Sequence, residues 1–281
     1  MPTLTRHQVQ PQLKGHSTIK NIIAIASGKG GVGKSTTSVN LALSLKQIGY
    51  QVGILDADIY GPSQPTLLNC QRKPDINNQK FMPIICHGLP SMSIGYLVNA
   101  DDALIWRGAM VTKALQQMLF DTDWPELDIL IVDLPPGTGD IQLTLAQKIP
   151  VSGAVIVTTP QDLSLADAKR AVAMLNKVKI APLGLIENMS IFHCPNCGHQ
   201  EPIFGQNGGE KLSAQFDLPV LGSIPLATTI QQTCDQGQPI MLQQPDTDIG
   251  QMYLAIAQQM LAQLSLRPKD YNVNMPNIVI E

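Results

Sequence analysis

The run Gly28-Lys29-Gly30-Gly31-Val32-Gly33-Lys34-Ser35 satisfies G-x-x-x-x-G-K-[ST]. It lies between a short apolar run at 22–26 and a stretch at 35–48 in which Val39, Ala42, Leu45 and Ile48 recur at helical spacing, with Gly49 placed as a C-terminal cap. Strand, glycine loop and helix in that order confine the fold more tightly than anything else in the chain. The glycines let backbone N–H groups turn inward around phosphate oxygens, the helix start aims its positive end at them, and Lys34 adds a full charge at the β/γ-phosphates. The Ser35 hydroxyl is placed to ligate Mg2+. Thr36 completes the group of expected nucleotide contacts, Gly28 to Thr36.

Further apolar runs at 52–55, 129–132, 154–157, 183–186 and 220–224 are each bounded by Gly, Pro or Asp. Being apolar on both faces, they fit buried parallel strands. Helical stretches at 110–119, 165–178 and 209–216 make this a repeated βα pattern, which predicts an α/β fold with a doubly wound, mostly parallel sheet. A last helix is expected at 249–264, entered through Asp246 and Asp248, with Ile249, Met252, Tyr253, Ile256, Met260 and Leu264 on the face laid against the sheet. Residues 1–20 show neither period and read as a flexible tail, 21–265 as the phosphate-loop domain, and 266–281 as a C-terminal extension.

Hydrophobic residues are 44% and charged residues 15% of the 281, which excludes a disordered or collagen-like chain. Nineteen Lys+Arg against 22 Asp+Glu leave net −3, so charge gives no sign of a nucleic-acid partner. No apolar run approaches the ~18 residues of a membrane span, and the opening residues form no secretion signal. The last helix has no Lys or Arg for a membrane surface. These observations point to a cytoplasmic protein with neither nucleic acid nor membrane as partner.

Two apolar runs end in carboxylates, as Asp56-Ala57-Asp58-Ile59-Tyr60-Gly61-Pro62-Ser63 and as Asp133-Leu134-Pro135-Pro136-Gly137-Thr138-Gly139-Asp140. In an open parallel sheet ligands sit beyond the carboxyl ends of the strands, so these aspartates can converge on the loop. Asp133 takes the place of the carboxylate that partners Mg2+. Any one of them alone reads equally as a helix cap or turn residue. Asn188, just after the run at 183–186, can offer a donor and an acceptor to a purine edge, or can simply form a turn.

The five cysteines are an odd, widely spaced set and a poor disulfide framework. Cys70, Cys86 and Cys234 read as ordinary thiols, small and apolar in behaviour. Only Cys194 and Cys197, in His193-Cys194-Pro195-Asn196-Cys197-Gly198-His199, have ligand spacing. A closed zinc site needs four ligands and the chain has no second C-x-x-C; His193 and His199 are poorly spaced to complete one. A thioredoxin-like pair belongs at a helix start after an early strand, and this pair comes late.

With Lys29 inside the loop, the segment is the K-G-G-x-G-K-[ST] variant and resembles the deviant Walker A (SIMIBI) class of dimeric P-loop NTPases. The resemblance implies ATP as nucleotide, Lys29 reaching across a dimer interface to the partner's γ-phosphate as an arginine finger does, a switch at Pro-Pro-Gly, Asp58 orienting the attacking water with Asp56 in support, and Asn188 contacting the base. A two-fold dimer would also bring together four thiolates from Cys194 and Cys197. Four sulfurs suit a [4Fe–4S] cluster and zinc alike.

The resemblance narrows further. I-A-S-G-K-G-G-V-G-K-S-T-T, L-D-A-D-I-Y-G-P-S, D-A-L-I-W-R-G, K-A-L-Q-Q-M-L, V-D-L-P-P-G-T-G-D, V-I-V-T-T-P-Q-D, E-N-M-S and C-P-N-C-G-H follow in order over residues 20–264. This series is similar to the Mrp/ApbC iron–sulfur carrier ATPases. It implies a homodimer that assembles a labile [4Fe–4S] cluster on the paired cysteines, receives it from an upstream scaffold and passes it to apo iron–sulfur proteins under control of ATP. Two departures stand out: Ala109 follows Trp106-Arg107-Gly108 where the family usually has Pro, and the expected tail is too short for the small N-terminal domain many bacterial members carry. The competing reading, a partitioning or positioning ATPase of the same superfamily with structural zinc at the C-x-x-C, calls for a basic surface or a basic helix that is not evident here.

Overall fold

The structure is a computed structural model and describes residues 4–98 and 108–271. Along the chain the elements are β1 (Ile19–Ala26), α1 (Lys34–Ile48), β2 (Val52–Asp56), α2 (Gln64–Leu67), β3 (Ile76–Asn77), β4 (Lys80–Phe81), β5 (Ile84–Cys86), β6 (Leu89–Ser93) and α3 (Gly108–Phe120). There follow β7 (Leu127–Asp133), α4 (Asp140–Lys148), β8 (Gly153–Thr158), α5 (Asp162–Lys177), β9 (Pro182–His193), β10 (Gln200–Glu201), α6 (Gly208–Phe216), β11 (Val220–Leu226), α7 (Thr228–Asp235), α8 (Ile240–Gln243) and α9 (Asp248–Ser265).

The main sheet runs β10-β9-β8-β1-β7-β2-β6-β5, with β11 also on β9. Every pairing among β1, β2, β6, β7, β8, β9 and β11 is parallel; only β5 and β10 join antiparallel. β1 lies centrally, and its side chains alternate between two cores. Ile22 and Ala24 face one built with α3, α4 and α5, while Ile23 and Ile25 face another built with α1 and α9. That two-sided burial is why the parallel strands are apolar throughout. The α/β doubly wound expectation is met, and Gly49 caps α1 at φ 110, its N–H donating to Leu45 O and Lys46 O.

Two expectations are corrected. Residues 4–18 do not hang free: buried His7 makes a bridge to Lys269 and hydrogen-bonds Asn21, and Gln10 binds Ala146 O, Ile149 O and the Val151 N–H. Side-chain bonds to distant backbone replace a periodic pattern there, so the segment carries no period to read. It also ties down the start of the C-terminal extension, since Asp270 N donates to Arg6 O. Cys70 and Cys86 are not ordinary thiols but are joined in a disulfide; Cys194, Cys197 and Cys234 are free. Trp106 and Arg107 lie outside the described residues, and Ala109 is exposed in the first turn of α3.

Candidate functional site

β1 ends at Ala26, and the chain turns through Gly31 and Gly33 at φ 80 and φ 79 before α1 begins at Lys34. Both glycines sit in the left-handed region that residues with a Cβ rarely adopt. At Gly33 a Cβ would also fall 2.1 Å from Asn188 Nδ2, so the loop leaves no room there. The loop walls a cavity of about 330 Å³ together with Lys29, Ser35, Thr36, Asp58 and Pro136.

Lys34 is 6% exposed and its Nζ donates to Asp133 Oδ1 at 2.6 Å. Asp133, at the end of β7, is fully buried; it also accepts from Ser38 Oγ at 3.0 Å and, on Oδ2, from Gln64 Nε2 at 3.0 Å. Parallel pairing of β2 with β7 sets Asp56 beside Asp133 in register. Asp56 Oδ1 accepts from the Asp58 N–H, and its Oδ2 accepts from the Gln64 N–H and Ser93 Oγ. Burial, reinforced by the Asp133 carboxylate, pushes Asp56 up to about 7. Asp58 is half-buried at the cavity wall, where burial raises its carboxyl above the ordinary range although Lys34 pulls it back.

Gln64 was not foreseen. Both amide hydrogens are engaged, by Ser35 O at 3.1 Å and by Asp133, which fixes Oε1 as a buried acceptor without a partner. Ser38 also escaped notice, although it stands one turn after Lys34 on the same helix face, a spacing visible in sequence. Lys29 is half-exposed at the cavity wall and donates to Gln161 Oε1 at 3.3 Å in its own chain. Asn188, expected at a base edge, is 6% exposed and donates from Nδ2 to Val32 O at 2.8 Å, holding the loop from below.

Cys194 and Cys197 lie at the tip of a hairpin. β9 runs past the end of β8, and its last residues pair antiparallel with β10 as His193 with Gln200 and Phe192 with Glu201. The turn is closed by Cys194 N–H to His199 O and Gly198 N–H to Cys194 O, both at 2.9 Å. Cys197 is exposed and Cys194 partly so. The backbone N–H groups of Cys197 and Asn196 lower the Cys194 thiol below its ordinary value, favouring the thiolate that binds metal. Among the described residues no three or more His, Cys, Asp or Glu side chains gather as a metal site.

The family described as "ParA: NUBPL iron-transfer P-loop NTPase" matches residues 18–261. This chain belongs to that family. The "Iron-sulfur cluster carrier protein" of Escherichia coli K12 is 53% identical over 264 residues, 93% of this chain and 71% of the relative. Mouse "Iron-sulfur cluster transfer protein NUBPL" is 46% identical, covering 92% and 82%. Among solved structures, a nucleotide-binding protein from Archaeoglobus fulgidus in complex with ADP superposes with TM-score 0.73 at 36% identity, covering 84% and 93%. The cell division ATPase MinD of Pyrococcus furiosus, at 21% identity and TM-score 0.63, shares the fold.

Within this NUBPL-type NTPase the two sets of residues stand apart along the chain: the loop, Asp56, Asp58 and Asp133 follow β1, β2 and β7, whereas the thiols cap the extension of β9. No helix among the described residues is long and apolar enough to cross a membrane.

Proposed function

We propose that the chain binds and hydrolyses ATP with Mg2+ at the loop of β1, and carries a [4Fe–4S] cluster as cargo between Cys194 and Cys197 of two copies, for transfer to apo iron–sulfur proteins. The hairpin carries the reading: it presents two accessible thiols, one favoured as thiolate, with no third ligand nearby among the described residues. A pair that a single chain leaves incomplete is completed by its symmetry mate. Leu163, 77% exposed and two residues from the Gln161 that Lys29 touches, supplies apolar surface for such a contact.

The donor set also fits Mg2+. The ion prefers hard oxygen ligands and keeps several waters. Ser35 would ligate it, Asp133 would hold it through water, and the orphaned Gln64 Oε1 is an acceptor for a further metal-bound water. Bound there, Mg2+ would neutralise charge on the β- and γ-phosphates. Lys34 and the loop N–H groups bind the phosphates, Asn188 keeps the loop in place, and Asp58 orients the attacking water. Lys29 supplies a charge to the partner's γ-phosphate.

Iron, zinc and acid-labile sulfide are measured on protein reconstituted anaerobically. Iron and sulfide at about four each per two chains support the carrier reading. Zinc alone, or neither metal, overturns it.

A further inference from the structure

The Cys70–Cys86 bond joins residues whose Cα atoms are 6.3 Å apart, inside the usual disulfide range. The two cysteines stand on the two segments that grip Asp56. Cys70 follows α2 and donates its N–H to Pro65 O at 2.9 Å; α2 opens at Gln64, which binds Asp56, Asp133 and Ser35. Cys86 ends β5, which pairs with β6, and β6 ends at Ser93, whose hydroxyl donates to the same Asp56 oxygen at 3.1 Å. One covalent bond therefore closes a ring through both segments; it sits at the start of β6, where Cys86 pairs with Leu89, on the sheet edge opposite the exposed C-x-x-C hairpin.

We propose that Cys70 and Cys86 form a reversible thiol–disulfide site whose state sets how tightly the phosphate loop holds nucleotide; this rests on the nucleotide-binding reading of that loop. Cys70 is partly exposed and Cys86 is 1% exposed, so a small-molecule thiolate meets the Cys70 sulfur first. Its attack forms a mixed disulfide at Cys70 and breaks the Cys70–Cys86 bond. The electron pair leaves on Cys86 Sγ, beside Ser91 Oγ at 3.5 Å and Tyr96 OH at 3.8 Å, and takes up a proton from solvent. A second thiol then attacks the outer sulfur of the mixed disulfide and releases Cys70 as a thiol. Two small thiols are oxidised to one small disulfide as the protein bond is reduced to two thiols. Oxidised glutathione drives the reverse exchange.

With the bond formed, α2 stays anchored to β5 and Gln64 stays against Ser35 and Asp133. With it broken, that segment regains freedom which nucleotide binding must again remove. The oxidised form therefore binds nucleotide more tightly, and coupling between two such sites is commonly about fivefold or more. Coupling is reciprocal, so nucleotide shifts the pair toward the disulfide by the same factor.

The test uses the full chain carrying C194S and C197S, which removes the other accessible thiols, equilibrated anaerobically with reduced or oxidised glutathione. Alkylation followed by peptide mass mapping reads the Cys70–Cys86 link, and a fluorescent ATP analogue with Mg2+ reads affinity in each state. The expected result is a Cys70–Cys86 peptide under oxidation, about fivefold tighter binding in that state, and a matching shift of the glutathione equilibrium when nucleotide is present. Adding C70S should abolish the redox difference, although the comparison of the two states needs no further variant. Equal affinities, or no linked peptide, overturn the proposal. Absence of binding in both states overturns the loop reading, and this inference with it.

Discussion

Lys34 Nζ lies 2.6 Å from Asp133 Oδ1, with the two side chains 6% and 0% exposed. The lysine proposed to serve the phosphates is thus the counter-charge of a buried carboxylate. Removing one member of a buried pair leaves the other uncompensated, which costs on the order of 3 kcal/mol. Lys34→Ala should therefore abolish binding of a fluorescent ATP analogue and also lower the urea-unfolding free energy by about that amount. A variant with wild-type stability would show that the ion pair contributes nothing in solution.

Asp56 gives a pH dependence of definite sign. Its carboxyl is pushed up to about 7 in the folded chain, against about 4 unfolded. Between those values the folded state binds the extra proton, so the contribution is full below about pH 4 and is lost as pH rises through about 7. Asp56→Asn cannot ionise. Wild type should lose stability relative to that variant from pH 5.5 to 8, with a slope of at most about 1.4 kcal/mol per pH unit. Urea titrations that run parallel would rule this out. Only the difference in slope is read, because the amide also loses an accepted hydrogen bond and lowers stability at every pH.

The motifs that place the loop were legible because each spans a change of period: apolar β1, glycine turn, then helical spacing in α1. The carboxylates were legible because a strand's end fixes where its next side chain stands. Gln64 was not. It matters through bonds to Asp56, eight positions away, and to Ser35 and Asp133, 29 and 69 positions away, and nothing in its neighbours' spacing marks it. The same holds for Gln10, whose partners Ala146, Ile149 and Val151 lie more than a hundred positions away. Cys70 and Cys86 carried no signal of partnership either, since they meet only when β5 folds beside the end of α2. The two-residue β3 and β4 are too short to show alternation.

The hairpin thiols should differ from the buried one in reactivity. Backbone N–H groups lower Cys194, whereas burial raises Cys234. At pH 7 iodoacetamide should label Cys194 at least about tenfold faster than Cys234, because the thiolate is the nucleophile. After anaerobic reconstitution, Cys194→Ala alone should bring iron and sulfide to background, since the dimer then retains only its two Cys197 thiols. Retention of a full cluster in that variant would place the cluster on other ligands.

Lys29 offers the sharpest test of action between subunits. In its own chain it lines the cavity and donates to Gln161 Oε1 at 3.3 Å. A charge delivered across the interface commonly raises phosphoryl transfer by a thousandfold or more. Lys29→Ala should thus retain ATP binding while slowing hydrolysis by about that factor. Lys34→Ala should be inactive through lost binding. Mixing the two variants creates a heterodimer in which the Lys29→Ala chain keeps its own Lys34 and receives Lys29 from its Lys34→Ala partner. Hydrolysis should reappear on mixing, in proportion to heterodimer formed. A lysine acting only within its own chain predicts no recovery at any ratio, because neither chain then holds both lysines.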